Sequence, residues 1–154
     1  MMEKVNIHTK LQKIQGKFTE ILKDQSNKFQ NYKYFTEYQA LTFLKPLLDE
    51  QKLTLTFADL PELGHSAEKV EKNWTVKYWK EATLTNSEQT SEQLSFRFWS
   101  LAEGTDLAKV KGSAETYAIK YFLTKFFLIP VTDQADPDKE QWKTSSTLES
   151  NNGK

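Results

Sequence analysis

Cysteine is absent from the 154 residues, which excludes disulfides, thiolate metal sites and cysteine nucleophiles. Histidine occurs only as His8 and His65, far apart and without ligand-like spacing, so both are expected to be ordinary surface residues. Five glycines form neither a phosphate-cradling loop nor a Walker pattern, which argues against nucleotide hydrolysis. The start of the chain has no apolar run of the signal-peptide kind, and the most apolar stretch is too short and too charged to span a bilayer. A soluble, cytoplasmic protein with no membrane partner is therefore expected. Charge of one sign is also lacking, with 21 basic and 21 acidic side chains. Any basic site must come from local clustering. The balance is uneven: residues 1–130 hold 18 basic and 16 acidic groups, and the acids Asp133, Asp136, Asp138, Glu140 and Glu149 weight the remainder.

What is present reads as α+β. Asn6 is a candidate cap for a first helix whose apolar stripe is Ile7, Leu11, Ile14, Phe18, Ile21 and Leu22, with Lys10, Lys13 and Lys17 off the stripe. Residues 24–35 look like an aromatic loop. Thr36 with Gln39 matches a capping box, and a second helix follows with Tyr38, Leu41, Leu44 and Leu48 on one line and Pro46 expected to kink or shorten it. From Leu53 the period changes to two, predicting a strand over Leu53, Leu55 and Phe57. Pro61–Lys72 is polar and reads as a loop. Asn73–Thr85 alternates, with Trp74, Val76, Tyr78, Ala82 and Leu84 on one face, interrupted by Lys80. After a polar turn, Leu94, Phe96 and Phe98 oppose Ser95, Arg97, Trp99 and Leu101, completing a long antiparallel hairpin.

The chain centres on Gly112–Pro130, read as a core helix capped by Ser113, with Glu115 favouring the dipole and Pro130 ending it. Around it Ala114, Tyr117, Ala118, Tyr121, Phe122 and Phe126 recur at helical spacing, beside a polar stripe of Thr116, Lys120 and Thr124. The expected architecture is a small antiparallel sheet of about three strands packed against this helix, with two N-terminal helices. Residues 1–130 form the domain, and residues 131–154 an acidic, polar tail expected to be flexible.

No catalytic constellation stands out, so neither an enzyme nor a cofactor is expected. Asp133, Asp136 and Asp138 read as a solvated acidic segment rather than a metal site. The second face of the hairpin alternates cation and aromatic: Lys77 and Trp79, then Arg97 and Trp99. Single-stranded nucleic acid is bound by such surfaces, through charge on phosphates and rings under bases. Alternatively, the tryptophans are packed under a helix or a neighbouring subunit with the cations snorkelling outward. Lys109 and Lys111, leading into the helix at Gly112-Ser113, suggest a phosphate held at a helix start. Lys120 and Thr124 either line a groove or are solvated.

The stretch Gly112-Ser113-Ala114-Glu115-Thr116-Tyr117-Ala118-Ile119-Lys120-Tyr121 resembles the signature helix of the ERF (essential recombination function) family of phage single-strand annealing proteins. Its ending, Phe127-Leu128-Ile129-Pro130 followed by Asp133 and Asp136-Pro137-Asp138, resembles the family's as well. So do Leu11–Gln15, Tyr32-Lys33-Tyr34, Leu44-Lys45-Pro46-Leu47-Leu48 and Ala82-Thr83-Leu84-Thr85, in the family's order over residues 7–138. The chain departs at Gln30, Asn31, Phe35 and Ile119, where glycines or arginine are common. The resemblance implies binding of single-stranded DNA and ATP-independent annealing of complementary strands during phage homologous recombination, in the bacterial host cytoplasm. It also implies relation to the Rad-type annealing proteins, homo-oligomeric rings or filaments with DNA in an outer basic groove, and a host or phage single-strand-binding protein as a further partner. The contact set it suggests is Lys33, Arg97, Lys109, Lys111, Lys120 and Lys125, with Trp79 and Trp99 as stacking groups. Two other readings stand beside it: a protein that protects single strands without annealing them, and a phage protein-interaction adaptor.

Overall fold

The computed structural model describes residues 3–24 and 36–130. The aromatic loop, with Lys33, and the whole of 131–154 lie outside the described residues. Helix α1 (Ile7–Asp24) is capped as expected, the Asn6 Oδ1 accepting the Thr9 N–H at 2.9 Å. Helix α2 (Glu37–Glu50) opens on the full capping box: Thr36 Oγ1 accepts the Gln39 N–H at 3.2 Å, and Gln39 Oε1 accepts the Thr36 N–H at 2.9 Å. Two details of α2 differ from expectation. Its helix continues through Pro46, which sits on the exposed side. Its buried line is Ala40, Leu44 and Leu47, so Tyr38 faces out at 79% exposure. Ala40 is fully buried beside Leu44 and Leu47.

Four strands follow: β1 (Leu53–Asp59), β2 (His65–Val70), β3 (Asn73–Asn86) and β4 (Gln93–Gly104). The long β3 is the spine. β4 pairs along its whole length on one side, from Trp74↔Gly104 to Thr85↔Gln93. On the other side β1 and β2 lie end to end, β1 from Leu53↔Asn86 to Asp59↔Lys80 and β2 from His65↔Tyr78 to Val70↔Asn73. The unexpected strand is β2, inside the segment read as a loop. As an edge strand it is mostly exposed and so carries no apolar alternation for a period-two reading to detect. Between β1 and β2 the Leu60 N–H reaches the Trp79 carbonyl at 2.8 Å, and one 3₁₀ turn (Pro61–Leu63) carries the chain onward.

Helix α3 (Leu107–Phe126) begins about two turns earlier than a cap at Ser113 would place it. Asp106 caps it, its Oδ1 accepting the Lys109 N–H at 3.1 Å, so Ser113 and Glu115 are interior positions. Its end also comes early. Leu128 takes a left-handed conformation (φ 53°) and the Ile129 N–H bonds the Thr124 carbonyl at 2.9 Å, closing the last turn before Pro130. Ala114 and Ser100 let α3 approach β4 closely, the Ser100 hydroxyl donating to the Ala114 carbonyl at 2.8 Å. Phe98, Phe122 and Phe126 stack in sequence at 4.8 and 5.1 Å, and α2 completes the layer over β1.

Lys10 is the main surprise of α1. It points into the protein at 3% exposure, donating to Asn86 Oδ1 at 2.8 Å and pairing with Glu88 at 2.7 Å. Lys52 also reaches Glu88, at 2.9 Å, while Glu92 accepts from the Ile7 N–H and from Asn86 Nδ2. The β3–β4 turn thereby holds the start of α1. Hydrogen bonds from Lys10 and Lys52 bring the Glu88 carboxyl down to about 2. A lowered carboxyl pKa contributes stability that is complete above the ordinary value of 4.5 and is lost as pH falls through about 2. The urea midpoint is therefore expected to drop between pH 5 and pH 2, and Glu88→Gln to flatten part of that slope while lowering the midpoint at pH 7.

Candidate nucleic-acid interface

The register divides the sequence-derived contact set between two faces. Trp79 and Trp99 are directly paired across β3 and β4, their rings 4.6 Å apart and tilted 55°, with Trp99 46% exposed. Arg97 shares this face but pairs with Glu81 at 3.3 Å. No described helix packs here. The face carries Lys77 and Arg97 against Glu68, Glu81 and Glu103, so it is not a basic surface. Its remaining side chains are mostly threonine and serine. The tryptophans are thus neither core nor set in a cationic groove.

On the opposite, helix-covered face, Lys80 does not break the alternation but uses it. It is buried at 2% exposure, with Nζ 2.6 Å from Asp59 Oδ1 and 2.6 Å from Glu115 Oε1. Lys111 bonds the other oxygens of the same two carboxylates at 3.1 Å each and lies 4.3 Å from the centre of the Tyr78 ring. The Tyr78 hydroxyl donates to Glu115 at 2.9 Å. Burial would lower Lys80 and Lys111, but the bonds of Lys80 to Asp59 and Glu115, and of Lys111 to Tyr78, Asp59 and Glu115, outweigh it and raise both. Burial likewise opposes the ionised carboxylates, which the lysines nevertheless hold below their ordinary values. Lys111 is therefore drawn into a neutral structural cluster rather than offered to a phosphate. The expected phosphate cradle at Gly112-Ser113 is absent for a related reason: those N–H groups lie inside α3 and are used by it.

A cationic surface does exist, along the outer side of α3. Lys109, Ser113, Tyr117, Tyr121 and Lys125 fall four residues apart and are all exposed, with Thr116 and Lys120 alongside. The row is about 24 Å long at 1.5 Å per residue. Lys120 Nζ lies 5.7 Å from the Tyr117 ring centre and 5.1 Å from that of Tyr121. Among the described residues Lys109, Lys120 and Lys125 make no ion pair, and the helix's one acid, Glu115, points the other way. Tyr117 and Tyr121, which recur at helical spacing with Ala114 and Ala118, are exposed whereas the two alanines are buried. The four-residue recurrence of lysine, serine and tyrosine was the available signal. Thr124, placed on the polar stripe, is instead buried, its hydroxyl bonded to the Tyr121 carbonyl. Of the suggested contacts, then, α3 gathers Lys109, Lys120 and Lys125, whereas Arg97, Trp79 and Trp99 lie across the sheet.

Removing Lys80 would strand two partly buried carboxylates with Lys111 as their only counter-charge. Lys80→Ala is expected to cost about 3–5 kcal/mol, the range for breaking a buried pair. Lys111→Ala, at a half-exposed position, should cost clearly less. Urea denaturation at pH 7 measures both.

Among the described residues no helix is long and apolar enough to cross a membrane. Searches of the curated proteins and of the solved structures returned no match. The ERF superfamily model, by contrast, matches residues 7–153, nearly the whole chain. The α+β fold, the central hairpin and the closing helix that carries the family-like motif agree with that match, and the chain belongs to the ERF superfamily, a family of phage recombination and annealing proteins.

Proposed function

We propose that this protein binds single-stranded DNA along the outer face of α3 and anneals complementary strands without nucleotide hydrolysis, as a ring or filament of many copies. Family membership points to recombination, and one observation favours this surface. The row from Lys109 to Lys125 combines three cations that make no ion pair among the described residues with two exposed tyrosines and no acid of its own. Lysine ammonium groups follow phosphates, and tyrosine rings offer stacking surfaces to bases of any sequence. Lys120, held beside both rings, sets cation and stacking groups at one height along the helix. The action is non-covalent: charge neutralisation and extension of one strand, with its bases left accessible to a second.

Three cations per subunit are few, and repetition supplies the rest. Both outer edges of the sheet, along β4 and along β1 with β2, are unpaired among the described residues. Their joining between copies would be head-to-tail, the kind of contact that closes rings or extends filaments. The open Trp79–Trp99 face, with its acidic balance, is given in this reading to protein contact.

Fluorescence anisotropy with a labelled single strand over a salt series tests the surface. Each phosphate contact contributes about 0.7 to the slope of log affinity against log salt. The triple variant Lys109→Ala/Lys120→Ala/Lys125→Ala should lose about 2 from that slope per bound subunit. Arg97→Ala should leave it unchanged. An unaltered slope in the triple variant would overturn the assignment. Mixing complementary strands without nucleotide then separates the activities: acceleration supports annealing, and retardation indicates protection alone.

A further inference from the structure

The helix layer leaves one part of its sheet face uncovered. α2 lies over β1 and α3 over β4 and β3, but among the described residues no helix packs substantially over β2. There, beside the first turns of α3, is a cleft of about 290 Å³ whose lining includes Pro61, His65, Ala67, Val76 and Tyr78, with Asp59 and Lys111. It opens at the seam where β1 ends and β2 begins, at Asp59↔Lys80 and His65↔Tyr78.

We infer that this cleft is a pocket for a single unstacked nucleobase of the bound strand, an inference that rests on the DNA-binding reading above. Three features favour that occupant. The volume sits at the lower end of the range for small-molecule sites, which suits one planar ring system rather than a base pair or a folded peptide. The side chains of Pro61, Ala67, Val76 and Tyr78 contribute apolar surface, and five polar or charged residues complete the lining. Asp59 and Lys111 are bonded to each other, whereas the exposed His65 ring offers a planar face and ring nitrogens that donate or accept according to tautomer, and a base edge carries both kinds of partner.

Charge around the cleft is compatible with a nucleotide. Asp59 and Glu115 are matched by Lys80 and Lys111, so the cluster facing the cleft is neutral. Lys109, which makes no ion pair among the described residues, lies two residues from Lys111 but on the outer side of α3. A strand on the outer row would pass around the first turns of α3 to reach the cleft. One base per subunit would be withheld from pairing while its neighbours remain free, giving each protomer a fixed register on the strand.

Ala67 is exposed on an edge strand, so Ala67→Trp fills the cleft without disturbing the core. Glu68→Trp places the same bulk on the opposite face of β2 as a control. The probe is a single-stranded oligonucleotide with 2-aminopurine moved through successive positions, read by acrylamide quenching, with anisotropy on the same samples. With the wild type, quenching should fall at least two-fold at regularly recurring positions. Glu68→Trp should retain that pattern and Ala67→Trp abolish it while still binding DNA with a salt-dependent affinity. DNA binding with no protected positions, or protection that survives Ala67→Trp, would overturn the pocket and leave the α3 interface standing. A change in assembly size in Ala67→Trp with protection intact would show instead that the cleft takes a side chain from another copy. Absence of any DNA binding by the wild type would remove both proposals.

Discussion

The buried ammonium of Lys80 is the constraint on which the arrangement of sheet and helix depends. An unpaired charge at that depth would be prohibitive, so β1 must deliver Asp59 and α3 must deliver Glu115 to the same point on β3. Three elements far apart in sequence are thereby fixed in register. Lys111 and Tyr78 complete the set by taking up the remaining carboxylate oxygens. Because every member is bonded, the cluster specifies one position of α3 along the sheet rather than a range of apolar slides.

That placement decides which side of α3 meets solvent. With Glu115 and Lys111 turned toward the sheet and Ala114 pressed on Ser100, the row from Lys109 through Tyr117 and Tyr121 to Lys125 faces outward. The same placement leaves β2 uncovered by the described helices, with the cleft beside Lys111. A second buried lysine, Lys10, works in a parallel way at the other end of the sheet, where Asn86, Glu88 and Glu92 receive it and the start of α1. Lys80 stands at an apolar-face position of β3, and Lys10 turns inward from a position off the apolar stripe of α1. Both clusters consume cations that a count of basic residues would have assigned to DNA.

The protein therefore has two unlike surfaces. One layer shows a cationic, tyrosine-bearing helix; the other shows a threonine-rich sheet with a tryptophan pair and a slight acidic excess. A reading from strand alternation alone merges them, since Arg97 and Trp99 alternate on β4 much as a nucleic-acid platform would. Register shows that Arg97 faces Glu81 and that the lysine-bearing row of α3 lies on the far side of the sheet.

By itself the sequence determined the class of fold, because hydrophobic periodicity and caps are local properties. The period-two runs placed β1, β3 and β4, the Thr36–Gln39 box placed the start of α2, and the Gly112–Tyr121 motif indicated the family that the superfamily match later bore out. It could not place β2, whose exposure removes the pattern, nor choose Asp106 over Ser113 as the cap of α3, since both residue types fit that role. Tertiary structure alone decided the fate of individual charges. Whether a lysine is solvated, as Lys125 is, or buried between carboxylates, as Lys80 is, depends on partners contributed by other strands and helices. Burial and pairing are properties of the packed state, and a one-dimensional pattern does not carry them.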